Sequence, residues 1–208
     1  MTARARRRMI AFPLPSVIRR RYLLRRVRYL LLGAAVLAGL AIADRQGLFG
    51  RAPAADYAKY HNRPAAVVHV VDGDTLDLDV PDDPHPATRI RLWGVDTPET
   101  VKPNTPVQHF GREASDRTKE LAMGQTVRLE LVPRDTRDKY HRLLAYVFLP
   151  DGRLLNAVLI EEGCGYADPR FDHPRKREFA RLQQQARRGG RGLWKDLTDA
   201  DLPYYLLR

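Results

Sequence analysis

Cysteine is almost missing from this 208-residue chain. A single thiol, Cys164, excludes an intramolecular disulfide and any zinc site built on several thiolates at short spacing. The fold must therefore rest on its core. Cys164 follows an apolar helical stretch, in Glu162-Gly163-Cys164-Gly165, and reads as a buried structural thiol rather than a reactive one. Lysine and acidic residues are wholly missing from residues 1–43, which hold ten arginines. Of 36 basic residues overall, the remainder keeps 26 against 25 acids, a net charge of about +1. The formal charge of +11 and the isoelectric point near 10.1 therefore belong to the leader. They are no argument for nucleic-acid binding by the folded part. No internal repeat is present, and the length fits one ordinary globular domain with extra sequence.

The apolar run in the leader is short. Tyr29 to Ala43 makes 15 residues, bounded by Arg28 and Asp44. As a helix it covers roughly 22 Å, less than the roughly 30 Å hydrocarbon core, but enough for the hydrophobic region of a signal peptide. Ala41-Ile42-Ala43 has the small-x-small form of a cleavage site. Arg25, Arg26 and Arg28 could instead snorkel and stretch the span of an uncleaved anchor. Both outcomes keep the arginines of residues 1–28 in the cytoplasm and send the C-terminal domain across. The expected location is thus the cell membrane, single-pass with the domain outside the cytoplasm, or the periplasm or exterior after cleavage.

Residues 44–64 carry Gly47, Gly50, Pro53 and Pro64 with no sustained period, and read as a linker. A domain is expected over 65–194, followed by a tail, 195–208. Ala65 to Val71 and Thr75 to Val80 flank the turn dipeptide Asp72-Gly73, and Thr88 to Val95 is a third strand-like run. Gln125 to Val132 and Leu143 to Leu149 add two more. Helices are expected over 107–123, ended by Gly124, over Leu154 to Glu162, and from Pro174 to about Arg188. The class is α+β: five strands with about three helices, compatible with a small closed barrel.

Three segments concentrate the unusual chemistry: Asp72-Gly73-Asp74-Thr75, Arg91 to Glu99, and Asp138-Lys139-Tyr140-His141-Arg142. Each alone has an ordinary structural explanation, as a hairpin turn, a proline-set turn or exposed strand arginines. Together they combine hard oxygen ligands suited to Ca²⁺ (Asp74, Asp96, Glu99) with two guanidiniums whose planar forks match phosphate oxygens (Arg91, Arg142). No histidine pair or cysteine cluster competes for a softer metal. A divalent ion with two arginines is what phosphodiester hydrolysis requires, because charge grows on the phosphoryl oxygens in the transition state.

At these residues the chain resembles the thermonuclease (staphylococcal nuclease-like) family, from Ala65 to Trp194. The Asp-Gly-Asp-Thr turn, the Arg-x4-Asp-Thr-Pro-Glu segment, Gly111-x-Glu113-Ala114-Ser115 and Asp-Lys-Tyr-x-Arg…Ala145-Tyr146 occur in family order and spacing. The resemblance implies a five-stranded oligonucleotide-binding (OB-fold) barrel with three helices. It implies Asp74 and Asp96 as calcium ligands with the Thr97 backbone carbonyl, and Glu99 as the residue that positions or deprotonates the attacking water. Arg91 and Arg142 correspond to the arginines that hold the scissile phosphate, Lys139 and Tyr140 to contacts with a neighbouring phosphate and sugar. The implied reaction is in-line attack of a metal-associated water on phosphorus, leaving a 3′-phosphate, with single-stranded DNA or RNA preferred. A monomer is expected, with no protein partner inferable.

Two departures stand out. His141 replaces a frequent glycine, and Thr100 to His109 has only Lys102 where the best-known members are lysine-rich, which weakens nonspecific phosphate attraction. Tyr166 is the nearest candidate for the base-stacking tyrosine, with core packing as its other reading. The alternative function is a catalytically silent OB module, tethered to the membrane, that binds nucleic acid or protein.

Overall fold

The computed structural model describes residues 16–45, 53–100, 107–133 and 135–207. Two compact units divide the chain, Met1–Arg51 and Ala52–Arg208. In the first, one helix, α1 (Ser16–Arg45), contains the apolar run. Leu30, Leu31, Leu32 and Leu37 are exposed along it. Among the described residues, no helix is long and apolar enough to cross a membrane.

The second unit runs α2 (Pro53–Tyr60), β1 (Pro64–Asp72), β2 (Thr75–Leu78), β3 (Thr88–Leu92), β4 (Val95–Asp96), α3 (Gly111–Ala122), β5 (Thr126–Glu130), β6 (Leu143–Phe148), α4 (Leu155–Glu161), β7 (Tyr166–Ala167) and α5 (Lys176–Arg188). Two 3₁₀ turns come after α5, Gly192–Trp194 and Tyr204–Leu206. Five strands close a barrel in the order β1-β2-β3-β6-β5. The β3–β6 pair is parallel, with Arg91 opposite Leu144, and the other barrel pairs are antiparallel. This is the expected α+β barrel, opened by the expected meander.

Alternation alone does not describe β1. Ala65 and Val67 point inward, then a bulge between Val67 and His69 shifts the phase, so that Val70 and Asp72 become the buried positions. A bulge adds one residue to one strand and re-aims the side chains beyond it. Its consequence here is to carry the Asp72 carboxylate inside. The core is filled by Leu76, Leu78, Ile90, Leu92, Leu129, Leu143, Leu155, Leu159 and Ile160, all essentially inaccessible. Each such side chain contributes roughly 1.5–3 kcal/mol of burial. Cys164 is buried and free, and burial pushes its thiol up to about 11, which fits a structural thiol.

Helix α3 presents Gly111, Ala114, Ser115, Thr118 and Ala122 to the barrel, one stripe at helical spacing. It begins four residues later than the spacing predicts, at Gly111, and ends before Gly124, whose φ of 72° suits glycine.

Three expectations are corrected. The stretch read as linker contains α2, whose Tyr60 is in the core and whose Asp56 is only 1% exposed. Asp56 accepts from Arg137 Nε at 2.7 Å and Nη2 at 2.8 Å and from the Thr136 hydroxyl at 3.1 Å. Such a buried acid belongs to the folded domain, which starts before Ala65. The run Thr88 to Val95 is not one strand. It breaks at Trp93-Gly94, and β4 leaves the barrel to pair with β7. The expected tail is packed over its described residues, 195–207: Leu197, Leu202 and Leu206 lie against a second apolar cluster of Tyr166, Ala186, Leu193 and Trp194.

Candidate active site

The β1–β2 hairpin turn lies hard against the Thr97 segment. A Cβ on Gly73 would sit 2.7 Å from Thr97 Oγ1 and 2.9 Å from its Cβ, so only glycine permits the approach. The Thr97 backbone N–H donates to Asp74 Oδ2 at 2.9 Å, and the Thr75 hydroxyl donates to Asp74 Oδ1, also at 2.9 Å. From α3, the Thr118 hydroxyl donates to the Gly73 carbonyl at 2.7 Å. Asp74 is thereby fixed with 1% exposure. Burial pushes its carboxyl above the ordinary value of 3.8; Arg91 and the Thr97 N–H oppose this, and Asp96 and Asp72 reinforce it.

Arg91 on β3 connects the two proposed ligand carboxylates. Its Nη1 pairs with Asp74 Oδ1 and its Nη2 with Asp96 Oδ1, the latter at 2.5 Å. Burial works against the Arg91 charge, but the two facing carboxylates more than offset it, raising its pKa. Asp96 reaches this position through Gly94, at φ 77°, where a Cβ would come within 2.5 Å of the His173 ring. His173 is itself buried, accepting from or donating to the Tyr146 hydroxyl at 2.8 Å, and burial lowers its pKa.

Arg142 comes from the turn before β6. Its Nε donates to Asp138 Oδ2 at 2.7 Å and its Nη1 to the Thr75 hydroxyl at 3.4 Å. Since Thr75 is also the register partner of Arg91, this one threonine joins both arginines and Asp74. His141 in that turn has φ 63°, a conformation that favours glycine, which accounts physically for the residue type it replaces. Lys139 Nζ and the Arg142 guanidinium lie 5.0 and 5.5 Å from the centroid of the exposed Tyr140 ring. Glu99 lies against Asp72, whose pKa is raised by burial and by that neighbouring acid, while the Thr100 hydroxyl donates to Asp72 at 2.6 Å. The Glu99 backbone exchanges hydrogen bonds with Gln108 at 2.8 and 3.0 Å.

Asp74, Arg91, Asp96, Thr97 and Arg142 are thus brought to one place, with Glu99 beside Asp72 on the same hairpin turn. Lys139 and Tyr140 flank them on the Arg142 turn. Lys102 lies outside the described residues. Tyr166 is buried edge-on against Trp194, ring centroids 5.5 Å apart, so it is a core residue and not a base-stacking one.

Sequence reasoning missed one side of the site. Arg170 Nη2 lies 3.1 Å from Asp96 Oδ2, and the Tyr205 hydroxyl donates to the same oxygen. Neither residue sits in a local pattern that announces it. Whether a metal fits depends on the donors. Among the described residues, no group of three or more His, Cys, Asp or Glu could hold an ion. The donors do suit a hard cation. Two carboxylates converge on one positive group, now the Arg91 guanidinium, and beside them Thr97 Oγ1 is buried without a hydrogen-bond partner. Backbone carbonyl and water would have to complete the ligand set.

A sequence model of the family described as staphylococcal nuclease homologue matches residues 89–196. That span includes every proposed site residue except Asp74. A thermonuclease of Staphylococcus hyicus is 41% identical over 133 residues, 62% of this chain and 75% of that protein. A thermonuclease of Staphylococcus intermedius is 50% identical over 101 residues, 49% of this chain and 57% of that protein. An uncharacterized endonuclease of Escherichia coli is 35% identical over 139 residues, 67% of this chain and 80% of that protein. With over half its length matched by the family and three quarters of a relative covered at this identity, the chain belongs to the staphylococcal nuclease homologue family.

Proposed function

We propose that the folded unit is a calcium-dependent endonuclease that hydrolyses phosphodiester bonds of DNA or RNA, with single strands preferred. Family membership makes it a phosphodiester hydrolase. The finer reading rests above all on the convergence of Asp74 and Asp96 on one cation position, now filled by Arg91, with Arg142 reaching Thr75 beside it. Asp74, Asp96 and the Thr97 carbonyl would hold calcium, which when bound supplies positive charge for the phosphoryl oxygens and lowers the pKa of water. Arg142 and Arg91 would hold the phosphate by bidentate contacts, Arg91 turning from the carboxylates it now bridges. Glu99 would position or deprotonate the attacking water from the Asp72 side. Tyr140 and Lys139 would contact the adjoining sugar and phosphate. A preference for single strands is supported by the barrel type and by a domain charge of only about +1, which leaves little general attraction for a duplex backbone.

The leader would take a monomeric enzyme out of the cytoplasm, either cleaved or retained at the membrane. Support for this comes from the ten arginines and the exposed leucines of α1. The test is cleavage of heat-denatured and duplex DNA with calcium and with EDTA. Calcium-dependent cleavage, faster on the denatured strand, is expected. Absent cleavage, or cleavage indifferent to EDTA, would reject the calcium-nuclease reading in favour of a silent binding module or another chemistry.

A further inference from the structure

We infer that Tyr205 and Arg170 are positioning residues for Asp96, fixing one carboxylate oxygen so that the other faces the cation. The inference rests on the calcium reading of Asp96. The two oxygens of this carboxylate are divided between two sets of partners. Oδ1 meets Arg91 Nη2 at 2.5 Å, on the side shared with Asp74. Oδ2 meets Arg170 Nη2 at 3.1 Å and accepts from the Tyr205 hydroxyl.

Those partners are themselves held. Arg170 grips Asp168 with both arms of its fork, Nε to Oδ1 at 2.8 Å and Nη2 to Oδ2 at 2.7 Å, and Asp168 is only 4% exposed. The plane of the guanidinium is therefore set before it reaches Asp96. The Tyr205 ring lies against it, 4.2 Å from Cζ to the ring centroid. Tyr205 belongs to the 3₁₀ turn Tyr204–Leu206, which Leu206 anchors in the second apolar cluster.

Asp96 needs such support more than Asp74 does. It ends a two-residue strand and its side chain is 22% exposed, against 1% for Asp74, which the barrel fixes through backbone and threonine donors. A ligating carboxylate left free to rotate must be ordered when the ion arrives. Donors on its outer oxygen order it beforehand, and losing them typically lowers metal affinity 10–100-fold.

The experiment measures calcium binding to the full chain by titration calorimetry, for wild type, Tyr205→Phe and Arg170→Lys, with a calcium-free melting curve for each. Tyr205→Phe keeps the ring and its stacking but removes the donor. It should melt with wild type and bind calcium about 10-fold more weakly, and excess calcium should restore kcat. Arg170→Lys keeps the charge without the fork and should also weaken binding. Unchanged or tighter calcium affinity in Tyr205→Phe, beside a wild type that binds, overturns the positioning role. A wild type that binds no calcium overturns the calcium reading itself, and the inference with it.

Discussion

The two carboxylates at the candidate site are held in opposite ways. Asp74 sits on a barrel hairpin, buried, with donors from the turn and from Thr97. Asp96 sits on the β4–β7 ribbon, partly exposed, with side-chain donors arriving from residues far along the chain. The barrel side is held by contacts that the fold itself supplies. The ribbon side depends on a tail docked by a few apolar residues. Damage on the barrel side should reach chemistry and stability, whereas damage on the ribbon side should reach chiefly cation affinity.

The largest effect expected is on turnover. Arg142→Ala removes a guanidinium within reach of Thr75, the residue that touches Asp74. Loss of fixed positive charge from the transition state should lower kcat about 10³-fold with the melting temperature retained. Near-wild-type kcat would mean that Arg142 does not face the reacting phosphate.

Next in size is a stability effect. Arg137 bridges the buried acids Asp56 and Asp82 and also donates to the His141 carbonyl, tying α2 to the turn that bears Arg142. Breaking a buried ion network by removing one member costs about 3–5 kcal/mol. Arg137→Ala should therefore lower unfolding free energy in urea by that amount. A loss below about 1 kcal/mol, the range of an exposed pair, would show that α2 is not integral to the barrel side.

The third comparison sets the two carboxylates against each other without calcium. The Asp74 carboxyl titrates above its unfolded value of 3.8, raised by burial and by Asp96 and Asp72. A group so raised contributes stability fully below the unfolded pKa, and this is lost as pH rises through the folded pKa. At neutral pH Asp74 thus weighs against the fold. Asp74→Asn should melt above wild type at pH 7, with the gap closing as the pH falls to about 4. Asp96→Asn, at a partly exposed site, should change stability by about 1 kcal/mol or less. A lower melting temperature for Asp74→Asn would show that its pairing with Arg91 outweighs the burial of its charge.

The same division explains what the sequence disclosed. Asp74, Arg91, Asp96, Thr97, Glu99 and Arg142 lie in three short segments, and each segment's geometry is local: a tight turn at Gly73, a left-handed turn at Gly94, a loop closed by Asp138. The five barrel strands and the opening meander were legible for the same reason, since hairpins leave turn residues behind, whereas the β4–β7 ribbon and the parallel β3–β6 pair, which no tight turn joins, were not. Arg170 and Tyr205 were not legible, because their meaning comes only from a carboxylate distant in sequence. Asp56 is the corresponding case in α2. Between a proline and a tyrosine it looks like a linker acid, and donors from distant Arg137 and Thr136 make its burial tolerable. The bulge in β1 was also invisible, although it is what turns Asp72 inward.

The central claim is that Asp74 and Asp96, from two regions of the fold, make one cation site. Calcium titration calorimetry on wild type, Asp74→Asn and Asp96→Asn tests it most directly. The account predicts that wild type binds calcium and that each substitution alone abolishes binding. Wild-type affinity in either variant would contradict it.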